Sequence, residues 1–150
     1  MSRELASEPV YDAWEMDTVP CTIIIPVYNE EKIVRQNTLA LLEFMRDKRI
    51  ACEIILGSNG STDATPALIE RLAADLPNVK SFHLDRRGAG LAFIRGVEMA
   101  SHEFIVSVDM DLADDLEFIP LALRLLQDFE MVIGCKHLRS QHRPFMRQLG

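Results

Sequence analysis

Short β-branched runs alternate along this chain with longer stretches whose apolar residues recur at helical spacing. "CTIIIPV" closes on a proline and reads as a strand, after which Val34, Leu41, Leu42 and Met45 mark one face of a helix. The pattern repeats. "CEIILG" predicts a second strand, "STDATPALIERLAADL" a helix with Leu68, Leu72 and Leu76 on one face, and "VKSFHL" a third strand. "GAGLAFIRGVEMA" then predicts a helix behind a glycine-bearing loop, "EFIVSVD" a fourth strand, "LEFIPLALRLLQDF" a helix and "EMVIGC" a fifth strand. Strands alternating with helices of this length predict an α/β fold, a mostly parallel sheet with helices on both faces. Asn29 is placed to cap the first helix, with Glu30 and Glu31 in its first turn, and Ser61 or Thr62 to cap the second. No internal repeat or low-complexity segment is present. Residues 1–20 are polar and read as an N-terminal extension, which leaves residues 21–150 as the domain.

Composition narrows the function classes. The chain has 150 residues, 48% hydrophobic and 26% charged, enough for one domain with a real core. A formal charge of −7 argues against a surface built for nucleic acid. Cys21, Cys52 and Cys135 have no metal-ligand spacing and flank apolar runs, so they read as reduced core thiols of a cytoplasmic protein. No apolar run approaches the roughly 18 residues of a membrane span. The acidic opening "MSRELASEPVYDAWEMD" lacks the basic end and apolar middle of a signal peptide.

In open parallel sheets ligands bind beyond the carboxyl ends of the strands, and four polar segments fall there. They are "PVYNEE", "GSNGSTD", "RRGAG" and "DMDLADD". An apolar run ending in four aspartates needs either solvent or a cation at its end. Near-extended backbone would direct Asp109 and Asp111 to the same side, where two carboxylates can serve Mg2+ or Mn2+, with Met110 pointing away. Strand-end aspartates also serve as helix caps, a reading that suits Asp114 and Asp115 better. Asn59-Gly60 is a turn signal; Ser58 and Asn59 could equally hydrogen-bond a base or ribose. Gly88 and Gly90 lack the spacing of a dinucleotide fingerprint and follow the third strand, which disfavours a nicotinamide-binding domain. The tail "KHLRSQHRPFMRQLG" is basic in an acidic protein and is either a solvated face or a phosphate contact.

"TIIIPVYNEE", "EIILGSNGSTDAT", "RRGAGLAFIRGVEMA", "FIVSVDMDLADDLEFIP" and "EMVIGCK" stand in the order and spacing of the family-two glycosyltransferases with the GT-A fold. The sequence most resembles the dolichyl-phosphate or polyprenyl-phosphate mannose and glucose synthases, over about residues 21–150. The resemblance implies a hexosyltransferase that moves a sugar from a GDP-mannose or UDP-glucose type donor to an acceptor, a polyprenyl phosphate or a sugar. It implies nucleotide-sugar contacts at Pro26, Tyr28, Glu30, Ser58, Asn59, Arg87, Gly88, Asp109, Met110 and Asp111. It places a metal, Mg2+ or Mn2+, on Asp109 and Asp111, and phosphate or acceptor contacts on Lys136 and Arg147, with Lys136 sharing the catalytic role of the two aspartates. Two positions depart from the family pattern: Ser58 stands where aspartate is common, and Ala113 where a polar metal-side residue is frequent.

A lipid phosphate acceptor is already ionised near neutral pH, its second pKa being about 6, so no general base is assigned. His83 and His102 flank strands and read as surface or edge residues. Family members usually continue past the fifth strand, whereas this chain stops at Gly150; the expectation is a donor-binding half, acting in the cytoplasm or at the cytosolic face of a membrane, where peripheral association is compatible with it. A catalytically silent nucleotide-sugar-binding module and a receiver-like signalling domain are the readings from other classes. The second is poorly matched, because a receiver clusters acids after its first strand, where this chain has "PVYNEE".

Overall fold

The structure, a computed structural model, describes residues 19–113 and 115–134. Four strands, β1 (Cys21–Val27), β2 (Cys52–Asn59), β3 (Val79–Leu84) and β4 (Phe104–Ser107), alternate with four helices, α1 (Val34–Asp47), α2 (Thr65–Asp75), α3 (Ala89–Met99) and α4 (Phe118–Leu125). Neighbouring strands are all parallel, in the order β3-β2-β1-β4.

β1 is central, and its unbroken apolar run follows from having helices on both sides. Ile23, Ile25 and Val27 join Val34, Leu41 and Met45 of α1, Ile69 and Leu72 of α2, and Ile119 and Leu123 of α4 in one core cluster. Ile24 points the other way, to α3. There the helix lies so close that a Cβ on Gly96 would sit 2.6 Å from Ile24 Cγ2. α3 buries only Ala92 and Gly96 and leaves Leu91, Phe93, Ile94 and Val97 exposed. Each fully buried isoleucine contributes roughly 1.5–3 kcal/mol, so β1 and β2 supply most of what holds the sheet between its helices.

The amino-terminal edge of the sheet is tied by Glu53, a 7% exposed carboxylate on β2. Thr22 Oγ1 donates to it at 2.6 Å, Lys80 Nζ pairs with it at 2.7 Å, and the Ser101 N–H donates as well. Lys80 also donates to the Met99 carbonyl. Burial alone would raise the pKa of this carboxyl; the hydrogen bonds from Lys80, Thr22 and Ser101 outweigh burial and hold it at about 2. One side chain thus joins β1, β2, β3 and the α3–β4 connection.

Three sequence expectations are corrected. Residues 130–134 of the expected fifth strand form no strand; Met131 and Ile133 are 74% and 77% exposed, and a cavity separates this segment from the outer edge of β4, so no ladder forms. Asn29 does not cap α1, whose N-cap is Ile33 without a side-chain bond. Ser61 and Thr62 do not cap α2, whose N-cap is Ala64. Their polar groups are engaged between loops instead. Asp115 does serve the start of α4, accepting from the Glu117 N–H at 3.0 Å. Cys21 is buried and Cys52 half-buried, adjacent in the β1–β2 register and both free thiols. The expected extension over residues 1–18, Asp114, Cys135 and the basic tail with Lys136 and Arg147 lie outside the described residues. Among the described residues, no helix is long and apolar enough to cross a membrane.

Candidate functional site

The strand order fixes where a ligand belongs. Steps from β1 to β2 to β3 run outward on one side, and the chain then crosses to the opposite side of β1 for β4. The crevice at such a reversal, beyond the carboxyl ends of β1 and β4, is the topological switch point where ligands bind in open α/β sheets. Tyr28 and Asp109 stand at its two sides.

Pro26 shapes that crevice. The last β1–β4 bond runs from the Val108 N–H to the Ile24 carbonyl at 3.3 Å. In a parallel ladder the next bond would need the N–H of residue 26, which proline lacks. β4 is released there, and the aspartate turn begins. The backbone between the aspartates is accordingly a turn and not extended: the Leu112 N–H donates to the Asp109 carbonyl at 3.2 Å, and Leu112 has φ 49°. Asp109 and Asp111 are both exposed. Met110, expected among the ligand contacts, is 3% exposed and packs in the core, while its carbonyl accepts from Asn37 Nδ2 at 2.8 Å.

The first two loops are sewn together. Asn29, at φ 54°, accepts from the Thr62 N–H at 2.8 Å, and its own N–H donates to Ser61 Oγ at 3.1 Å. The Glu30 N–H donates to Thr65 Oγ1, the Glu31 N–H to Asp63, and the Ala64 N–H back to Glu31. Desolvation alone would raise the Asp63 carboxyl; the hydrogen bonds from Thr65 and Glu31 together outweigh it and hold the group below the usual carboxylate range. These contacts leave the Glu30 carboxylate without a hydrogen-bond partner among the described residues.

The third loop closes on the second. The Gly88 N–H donates to Asn59 Oδ1 at 2.6 Å. Gly60, at φ 72°, lets the backbone come so near that a Cβ would lie 2.6 Å from the Arg87 nitrogen. So anchored, Arg87 lays its guanidinium over the Tyr28 ring, 4.1 Å from the centroid. The structure therefore brings Tyr28, Asn59, Arg87 and Gly88 together. Ser58 is apart from them: it is fully buried, and its hydroxyl meets His83 Nδ1 at 3.0 Å beneath the loop. His83, expected to be a surface residue, is exposed but anchored through this contact.

A cavity of about 920 Å³ runs along the outer edge of β4, walled by apolar side chains such as Phe93, Val97, Ile105 and Leu121, with Asp109 and Asp111 on its lining. Neither Tyr28 nor Asn59 lines it. Among the described residues no cluster of three or more His, Cys, Asp or Glu side chains is placed to hold a metal. What the chain offers is smaller: the Asp109 carboxylate has no hydrogen-bond partner among the described residues, and Asp111 uses one oxygen to accept from the Ala113 N–H at 3.1 Å. Two exposed carboxylates with free oxygens fit a hard divalent cation that keeps water and ligand phosphate in its remaining positions.

A parallel α/β sheet with a β1/β4 switch point, aromatic and amide-bearing on one side and acidic on the other, defines an open α/β domain with a ligand crevice at its strand ends. The family model described as "Glycosyl transferase family 2" matches residues 22–149, and the chain belongs to that family. A bactoprenol glucosyl transferase of Shigella phage SfV is 33% identical over 121 residues, covering 79% of this chain and 39% of that protein. The chain thus spans well under half the length of that relative. S. aureus TarS 1-349 in complex with UDP-GlcNAc superposes with a TM-score of 0.55 at 26% identity, over 75% of this chain and 32% of that one. The mannosyltransferase PcManGT from Pyrobaculum calidifontis, in complex with GDP-Man and Mn2+, gives a TM-score of 0.54 at 26% identity, over 73% and 35%. The fold is GT-A, and the receiver-like alternative falls away.

Proposed function

We propose that this chain carries the donor-binding half of a metal-assisted hexosyltransferase whose acceptor is a polyprenyl phosphate. The observation that carries the reading is the convergence of the Tyr28–Asn59–Arg87 cluster and the Asp109–Asp111 turn on the two sides of one switch point. It is supported by a relative named for bactoprenol glucosyl transfer and by structural neighbours in complex with UDP-GlcNAc or GDP-Man.

In this reading the Tyr28 ring offers a stacking face for the nucleobase, and the Asn59 amide supplies hydrogen bonds to base or ribose. Arg87 turns to the diphosphate, and Lys136, carried by the family resemblance, approaches the same charge. Asp109 and Asp111 would hold Mg2+ or Mn2+, which as a Lewis acid offsets the charge that grows on the leaving diphosphate. The bond from the anomeric carbon to the diphosphate oxygen breaks with its electron pair on the nucleoside diphosphate, and an acceptor phosphate oxygen forms the new bond. That oxygen is already ionised near neutral pH, so no side chain has to remove a proton. A lipid acceptor would place the transfer at a membrane surface, and the cytosolic face is the one this reading assigns.

Calorimetry against GDP-mannose and UDP-glucose, with and without Mn2+, tests the reading. Metal-dependent binding of one donor is expected, and Asp109→Ala/Asp111→Ala should abolish the metal dependence while the far-UV spectrum is unchanged. Absence of binding to both donors in the presence of metal defeats it. A second reading is donor binding without transfer: among the described residues, no Lys, Arg or His lines the cavity beside the aspartates. Donor affinity without product across lipid-phosphate and sugar acceptors selects that reading.

A further inference from the structure

Arg87 rests where the nucleotide reading puts the base and not where it puts the diphosphate. Its guanidinium lies on the Tyr28 ring, on the surface an aromatic base would use. Its backbone is fixed by the Gly60 contact and by the Gly88–Asn59 bond, so the loop need not move for the side chain to leave. Arg87 is exposed and makes no ion pair among the described residues. Among the described residues, no carboxylate therefore holds it on the ring or competes for it elsewhere. Tyr28 keeps 37% of its surface exposed, so the covered face is a surface site and not a core contact.

We propose, resting on the nucleotide-sugar reading above, that Arg87 is the residue that makes this site select nucleoside diphosphates over bare nucleosides. A nucleoside must displace the guanidinium from Tyr28 to stack, and it offers the displaced cation nothing. A nucleoside diphosphate displaces the same group and receives it on its phosphates, where charge-assisted bonds to an arginine are strong and often bidentate. The residue opposes one ligand class and rewards the other from a single anchored position. Specificity of this kind combines an attractive contact with a repulsive element against the wrong ligand.

The test compares the full chain with Arg87→Gln, which keeps the length of the side chain and removes its charge. Uridine, guanosine, UDP and GDP are titrated with Mg2+ present, followed by NMR so that millimolar affinities are read. The expected result has two opposite arms. Nucleoside binding tightens about two- to five-fold, the strength of an exposed cation–π contact expressed as an affinity ratio. Diphosphate binding weakens about ten-fold or more, as for a lost bond to a charged group. In a Tyr28→Leu background the first arm should vanish, because no ring remains to be uncovered, while the second persists. If Arg87→Gln weakens UDP or GDP but leaves both nucleosides unchanged, Arg87 is a plain phosphate contact and the proposal is overturned while the nucleotide reading stands. Unchanged diphosphate affinity overturns it equally. If the unsubstituted chain binds none of the four probes, the nucleotide reading itself fails.

Discussion

Replacing Glu53 with glutamine removes a charge from the amino-terminal edge of the sheet while keeping its size. Moving this carboxyl from its ordinary 4.5 to about 2 corresponds to about 3 kcal/mol of stability. The Lys80 side chain is 40% exposed, so water screens its share and the loss expected at pH 7 is on the order of 2 kcal/mol. The direction with pH follows from the lowered pKa. The stabilisation is fully present above about 4.5, the unfolded value, and disappears as pH falls through about 2, the folded one. Urea unfolding of the unsubstituted chain and Glu53→Gln, followed by circular dichroism at pH 7, 4 and 2.5, measures the gap between them. It should be widest at pH 7 and reduced to about a quarter at pH 2.5, where the native carboxyl is itself becoming protonated. A gap that is absent at pH 7, or equally wide at all three values, refutes the assignment of the stability to this ionised group. Nucleotide binding should not change, since Glu53 lies at the opposite end of the strands from the site.

Gly96→Ala should lower stability by up to about 2 kcal/mol in thermal unfolding, because overpacking against the buried Ile24 outweighs the roughly 1 kcal/mol gained from helix propensity; a raised Tm contradicts the close approach. Asn29→Ala should cost about 1–2 kcal/mol and weaken nucleotide binding, through the lost bond to Thr62 and the positive φ, whereas Asn29→Gly should recover the backbone share. A glycine variant no more stable than the alanine variant would run against this. Burial pushes the thiols of Cys21 and Cys52 up to about 12 and about 11, so iodoacetamide at pH 8 should leave both unmodified in the native chain and label them in urea, as read by peptide mass mapping. The same raised values mean stability kept below about 9 and lost as pH climbs through about 11; equal labelling in both conditions would dispose of the argument.

Most of the architecture was legible because it depends on local periodicity. The four strands and the faces of α1 and α2 follow from apolar spacing, and the site's position follows from loops falling at carboxyl ends. What was illegible depends on partners distant in sequence. Asn29 has the chemistry of a helix cap, and only the fold brings Thr62, 33 residues away, to take that oxygen. Ser58 follows an apolar run as a ligand residue would, yet its register opposite His83 turns it under the loop. The "MVIG" run has strand-like residues, but a strand also needs an edge to pair with, and the cavity beside β4 denies it one. The Tyr28–Arg87 contact carries no signal in either segment, since it arises from two loops whose anchors are glycine and asparagine.

The order β3-β2-β1-β4 also has a consequence in time. Cys21 is paired with Cys52 on one side and Phe104 on the other, so a chain emerging from the ribosome supplies the first partner of β1 long before the second. Pairing between near neighbours in sequence closes the shorter loop and comes first. The interlocked turns after β1 and β2 can therefore be in place while the aspartate turn is still unsynthesised. Until β4 pairs, the central strand is bare on the side that β4 covers, and that bare edge is where misassembly would begin.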